Sequence, residues 1–393
     1  MYKQYLFLLA LLCSSLICIT NPLAEEVVDT PPDPGAPVAE QTTDSPPDPE
    51  KAFTKEVFSW ESSTPTATDF DWVQLTSGEW LKGEIKGFYK DTLEFDSDIL
   101  DLLDLDWSDV KYLVTHIPGN AYIEGHGTVY GYFEIRDNKL VVSNGGEQQE
   151  FDRSRLVSFI TGGEKELDYW SAKITLGLNL RSGNTDQVDY NSKGNLKRQT
   201  SFSRFILDYI GNISKTSKIE TSNNHRMTAS HDIFKTRRFF FRPIFGQYFR
   251  DPFQNIDAQV TIGTGLGYTI VDNGDIEWDV FGGPAYQSKR FVSVAPGEDD
   301  KETSPAVVLG TNYDNELTRW LDFIFKYNTI WGDEASGGYT HHLETTFESE
   351  LIASFDLDVT FIWDHISSPT PDQDGVIPQK DDYRLILGIS YEY

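Results

Sequence analysis

The chain has 393 residues, a formal net charge of −29 and a sequence pI near 4.5. That balance excludes binding to nucleic acid or to anionic lipid by bulk electrostatics, because both need a basic surface. Its only cysteines, Cys13 and Cys18, lie close to the N-terminus. A chain that loses them crosses an oxidising compartment with no thiol to mispair.

Lys3, the apolar run Tyr5 to Ile19 and Pro22-Leu23-Ala24, followed abruptly by Glu25, read as a signal peptide over residues 1–24. Neither cysteine follows the small residues of a lipid-attachment box. Beyond this point no apolar run approaches the roughly 18 residues of a membrane helix, so a membrane-spanning mature chain must cross with strands. Residues 25–69 hold Thr30-Pro31-Pro32-Asp33-Pro34, echoed as Ser45-Pro46-Pro47-Asp48-Pro49, with no Lys or Arg between Lys3 and Lys51. Such a proline-rich, self-repelling stretch buries too little apolar surface to order itself and reads as a disordered linker.

Residues 70–162 change to short strands: Trp72 to Leu75, Trp80 to Ile85, Leu93 to Phe95 and Tyr112 to Val114, echoed by Gly127 to Gly131, Leu140 to Val142 and Phe151 to Ile160. We read two copies of one unit, a small periplasmic SH3-like or Sm-like β domain. The acidic stretch Asp96 to Asp109 lacks the glycine spacing of a calcium loop and reads as a solvated loop.

From Trp170 onward the strands have barrel length, about 9 to 13 residues. In the first, Ala172, Ile174, Leu176, Leu178 and Leu180 alternate with polar residues, and both of its charges lie on the polar face. Further strands read as Gln187 to Gln199, Arg204 to Ile213, Ser222 to Phe234, Arg238 to Arg250, Ile256 to Ile270, Ile276 to Ser288, Pro305 to Glu316, Leu321 to Ile330, Thr340 to Leu351, Phe355 to His365 and Tyr383 to Tyr393. The fold class is therefore all-β: a roughly twelve-stranded antiparallel transmembrane β-barrel over 170–393 behind the small β domain. Loop lengths agree, since the long connections Arg290 to Ser304 and Ile366 to Asp382 fall at the same end. Trp170, Trp278, Trp331, Trp363, Tyr391 and Tyr393 stand near strand ends, where interfacial girdles form.

The last strand alternates with only Ile386 out of pattern. Its Gly388, Tyr391 and Tyr393 resemble the C-terminal signal read by the outer-membrane barrel-assembly machinery. Trp170 with Gly177, Gly183-Asn184-Thr185, Asp251-Pro252-Phe253, Gly263-Thr264-Gly265-Leu266-Gly267-Tyr268 and Gly283-Pro284-Ala285-Tyr286 resemble the salt-induced outer-membrane protein family, catalogued as domain of unknown function 481. Gln259 departs from the basic residue that members often carry. The resemblance implies an outer-membrane barrel and supplies no catalytic or binding residue.

No chemistry is compelling. His365-Ile366-Ser367 is the one His-x-Ser, at the mouth of a long loop. His341 and His342 point to opposite faces of a strand and cannot both ligate one metal. Catalytic residues, metal and cofactor are therefore all expected to be none. The candidate functional residues are lumen charges: Lys173, Arg181, Asp257, Asp279, Asp322, Lys326, Glu344 and Glu348, with Asp358 beside them. They would either line a narrow channel or fill the barrel as a self-neutralising network. The expectation is a cell outer-membrane protein, structural or a narrow passive channel, contacting outer-membrane lipid and lipopolysaccharide. Its periplasmic domain would meet a partner or peptidoglycan. Alternatives are a membrane-embedded lipid hydrolase and a surface-loop adhesion protein.

Overall fold

The computed structural model describes residues 69–97, 99–162, 166–183, 186–273, 275–318, 320–352 and 354–392. The signal peptide, the linker up to residue 68 and Tyr393 lie outside them.

The N-terminal module holds ten strands: β1 (Asp71–Leu75), β2 (Trp80–Tyr89), β3 (Thr92–Ser97), β4 (Asp101–Asp106), β5 (Val110–Val114), β6 (Gly119–Ile123), β7 (Gly127–Arg136), β8 (Lys139–Asn144), β9 (Glu147–Asp152) and β10 (Leu156–Thr161). The pairings expose the duplication. β1–β2, β2–β3, β3–β4 and β1–β5 recur as β6–β7, β7–β8, β8–β9 and β6–β10. The two five-stranded units then exchange contacts symmetrically, β5 with β7 and β10 with β2. Their cores merge, Phe88 and Phe133 both packing on Phe159 at centroid separations of 5.8 and 5.3 Å. The sequence reading missed β6 and β9, and it took β4 for a loop. β4 forms because Leu103 and Leu105 pack on the core, while its aspartates sit on an edge strand that charge protects from further pairing.

The second half is a closed barrel of twelve antiparallel strands: β11 (Trp170–Arg181), β12 (Gln187–Gln199), β13 (Ser203–Thr216), β14 (Ile219–Phe234), β15 (Phe239–Asp251), β16 (Ile256–Asp272), β17 (Ile276–Phe291), β18 (Lys301–Thr318), β19 (Leu321–Trp331), β20 (Tyr339–Ile352), β21 (Phe355–Ile366) and β22 (Asp381–Glu392). Each strand pairs with its sequence neighbour, and β22 closes on β11. The alternation is realised physically. Leu176, Leu178, Leu385 and Leu387 each expose more than 60% of their surface outward, whereas Thr175, Gly177, Ile386 and Gly388 between them are buried. Among the described residues no helix is long and apolar enough to cross a membrane. The connections nearest the module are tight, and the longest ones, 292–300 and 367–380, sit at the far end.

The closing seam depends on glycine. β22 pairs with β11 from Lys173↔Glu392 to Leu176↔Ile389. Just beyond that ladder, a β-carbon on Gly177 would lie 2.6 Å from the Leu387 carbonyl oxygen, and one on Gly388 would lie 2.6 Å from Thr175 Cγ2. Gly177→Val is therefore expected to cost about 1–3 kcal/mol through overpacking at the seam. The check is the fraction of refolded protein that keeps heat-modifiable gel mobility; an undiminished fraction would contradict this account of the seam.

Candidate functional site

The lumen is built from the polar face of twelve strands, so each inward charge is set by strand parity alone. What the charges do depends on partners across the barrel. β13 and β19 are six strands apart in a ring of twelve, diametrically opposite, yet Lys326 Nζ of β19 lies 3.2 Å from Asp208 Oδ1 of β13. Lys193 of β12 meets Glu344 of β20 at 2.8 Å. Lys173 bonds Glu348 and, at 2.8 Å, Asp356. Nearer the far end, Asp364 gathers Arg226 at 2.7 Å, His342 at 2.7 Å and Arg384. Long side chains of opposite sign therefore meet across the barrel at several levels.

Apolar groups complete the filling. Ile386, the residue out of pattern in the last strand, packs inside the lumen against Ile210 and Ile362. Phe249, Ile256 and Ile366 cluster at the far end. A cavity of about 480 Å³ persists toward the module end, lined by Lys173, Asp208, Asp314, Lys326, Glu344 and Glu348 among others. Above it, beside Asp364 and Asp382, space shrinks to about 20 Å³. The near half is a vestibule, and the lumen narrows around Asp364.

The module closes onto the near end. The hairpin turn between β2 and β3 carries Lys90, 7% exposed, which bonds Glu277 and lies 3.1 Å from Asp279 and 3.7 Å from Asp272. Arg204 joins Asp232, Glu277 and Asp279, and Arg242 joins Asp232 at 2.6 Å. In this layer three cations face four carboxylates, so removing one cation leaves a large excess of negative charge. Burial alone would push the Lys90 amine down, but Glu277, Asp279 and Asp272 outweigh it and hold the amine above its ordinary value. Around the turn, Arg237 donates to Asp91 and to the carbonyls of Leu156 and Arg153. Ser158 Oγ donates to the Ser201 carbonyl, and Tyr89 and Val157 pack on Phe234 and Phe240.

Lys90 has φ of 59°, a left-handed conformation that favours glycine or asparagine. The corresponding two-residue turn of the second unit, Asp137-Asn138, has positive φ at both residues (48° and 62°). A lysine held in that conformation costs about 1–2 kcal/mol, which the carboxylates around its amine offset.

Of the candidate lumen charges, Lys173, Asp279, Asp322, Lys326, Glu344 and Glu348 lie on the inner face. Asp322 lines the vestibule. Two placements need correction. Arg181 ends β11 exposed at the far rim, past the last filled layer. Asp257 falls in a register shift between Ile256 and Ala258, which breaks the parity and turns it to the outward-facing Arg290, at 2.5 Å. Lys90, Arg204, Asp208, Arg226, Asp232 and Asp364 were not singled out. The barrel residues among them obey the same alternation, and Lys90 differs in kind from its counterparts in the second unit.

His341 and His342 do point to opposite faces, toward Tyr327 and Asp364 respectively. His365 Nδ1 lies 2.8 Å from Asp381 Oδ1 on the outer face. Ser367, however, donates to the Gly337 carbonyl and accepts from Tyr339 N–H, so base and hydroxyl are not joined.

No curated protein matches the chain. Among solved structures it is similar to the NanC porin (9% identity, 56% of this chain and 98% of that one, TM-score 0.35). It is also similar to the translocator domain of the autotransporter NalP from Neisseria meningitidis (10% identity, 57% and 88%, TM-score 0.33) and to the outer membrane channel DcaP of Acinetobacter baumannii (11% identity, 82% and 94%, TM-score 0.27). The profile of the family described as protein of unknown function, DUF481, matches residues 174–393, more than half of the chain, and the chain belongs to that family.

Proposed function

We propose that this protein is a closed outer-membrane anchor: a barrel that spans the membrane without forming an open pore and holds its duplicated β module at the periplasmic mouth. The outward apolar belt supports the membrane location. The tight connections beside the module and the long ones opposite support its orientation, as in bacterial barrels with short periplasmic turns. The observation that carries the closed reading is the pairing of Lys326 with Asp208 from diametrically opposite strands. Such contacts crossing the lumen, with Asp364 and its cations beyond them, support a barrel without a continuous water path. No catalytic role is assigned, and the module is the part that would meet a periplasmic partner.

The test is electrical. Full-length protein refolded into planar bilayers is expected to give no stable stepwise conductance, whereas discrete, long-lived current steps would overturn the closed reading. Recovery of the native protein in the soluble periplasm, rather than with outer membranes, would overturn its location.

A further inference from the structure

Three polar side chains on the inner wall of β16, β17 and β18 form a row without partners. Thr261 stands opposite Gln287, and Gln287 opposite Ser304. They are 0%, 2% and 3% exposed, yet Thr261 Oγ1, Gln287 Nε2 and Ser304 Oγ make no hydrogen bond among the described residues. Lys289, two residues further along β17, is 1% exposed. Among the described residues its amine has no ion pair or hydrogen bond, and it stands 5.2 Å from the centroid of the Phe291 ring. Glu302 faces Lys289 in register but does not reach it as an ion pair.

The loop of residues 332–338 lies over this row. A β-carbon on Gly337 would be 3.2 Å from Lys289 Nζ, and one on Gly332 would be 3.2 Å from Gln287 Oε1. Burying an unneutralised ammonium is expensive. All four groups can donate hydrogen bonds, Lys289 three and the Gln287 amide two. A water molecule would satisfy some of these donors but leave the charge uncompensated. One net positive charge matches a monovalent ion, since a multivalent one would itself leave buried excess charge.

We infer that this wall is a binding site for a small monovalent inorganic anion, held by Lys289, Gln287, Ser304 and Thr261 beneath the 332–338 loop. The site is independent of whether the lumen conducts.

The probe is chloride or bromide in exchange for gluconate at constant ionic strength, with the full-length protein refolded in detergent. The unfolding temperature, followed by heat-modifiable mobility, is expected to rise by several degrees and to saturate. Lys289→Met, which removes the charge at similar volume, is expected to abolish the saturable rise and to be no less stable than the parent in gluconate. Independently, crystals of the unaltered protein grown in bromide are expected to show anomalous scattering between Lys289 and Ser304. An equal response of parent and Lys289→Met, or a wall holding only water or the Glu302 carboxylate, would overturn the assignment.

Discussion

Replacing Asp364 by alanine is expected to destabilise the folded barrel by about 3–5 kcal/mol, the cost of removing one partner from a buried ionic network. Asp364 neutralises Arg226 and Arg384 and accepts from His342, so its loss leaves two buried guanidinium groups facing each other. Guanidinium unfolding of refolded protein in micelles measures the effect. The double variant Asp364→Ala with Arg226→Met is expected to recover part of the loss, because one uncompensated charge goes with it. If the single variant matched the parent in stability, the far half of the lumen would have to be wet enough to solvate both arginines, and the closed reading would fall with it.

Lys90→Glu is expected to release the module from the barrel. The change would leave five carboxylates facing Arg204 and Arg242 in place of the present four carboxylates and three cations. A cost of about 3 kcal/mol, roughly a hundredfold in the docking equilibrium, is the lower end for such a buried site. Limited proteolysis is expected to separate the module from a barrel whose heat-modifiable mobility is unchanged, and equal resistance in parent and variant would refute the docking role. Asn138→Lys, at the equivalent turn of the second unit, is the control and is expected to leave docking intact. The pH dependence has a definite sign. Because its partners raise the Lys90 amine above the ordinary 10.5, its contribution is complete below that value and is lost as pH rises through the raised one. Its own share of docking is therefore expected to be unchanged near neutrality and to be lost only in strongly alkaline solution. The released barrel is still expected not to conduct, since its lumen still narrows around Asp364.

Much of this architecture is legible in the residues. Leu176, Leu178, Leu385 and Leu387 alternate with polar neighbours, and a period of two is a local property that survives whatever the strand pairs with. Legibility fails where locality fails. Asp257 belongs to the inward series by counting, but one extra residue against β17 turns it outward. β4 reads as an acidic loop until the core against which Leu103 and Leu105 pack is in place. Ile386 looks like a flaw in an alternating strand, and it becomes sensible only beside Ile210 and Ile362.

The sequence by itself determined the number of barrel strands, the outward wall of most of them, the end that carries the long loops, and the closure of the last strand on the first. Each follows from spacing within a short window or from loop length. Only the tertiary structure decided which inward charges meet across the lumen. That outcome depends on whether side chains from opposite strands can reach one another, as Lys326 and Asp208 do across 118 positions of sequence. It decided likewise that Lys90, in a turn of a separate module, is the cation that completes the barrel's lowest charged layer, because its carboxylate partners lie 187 and 189 positions away.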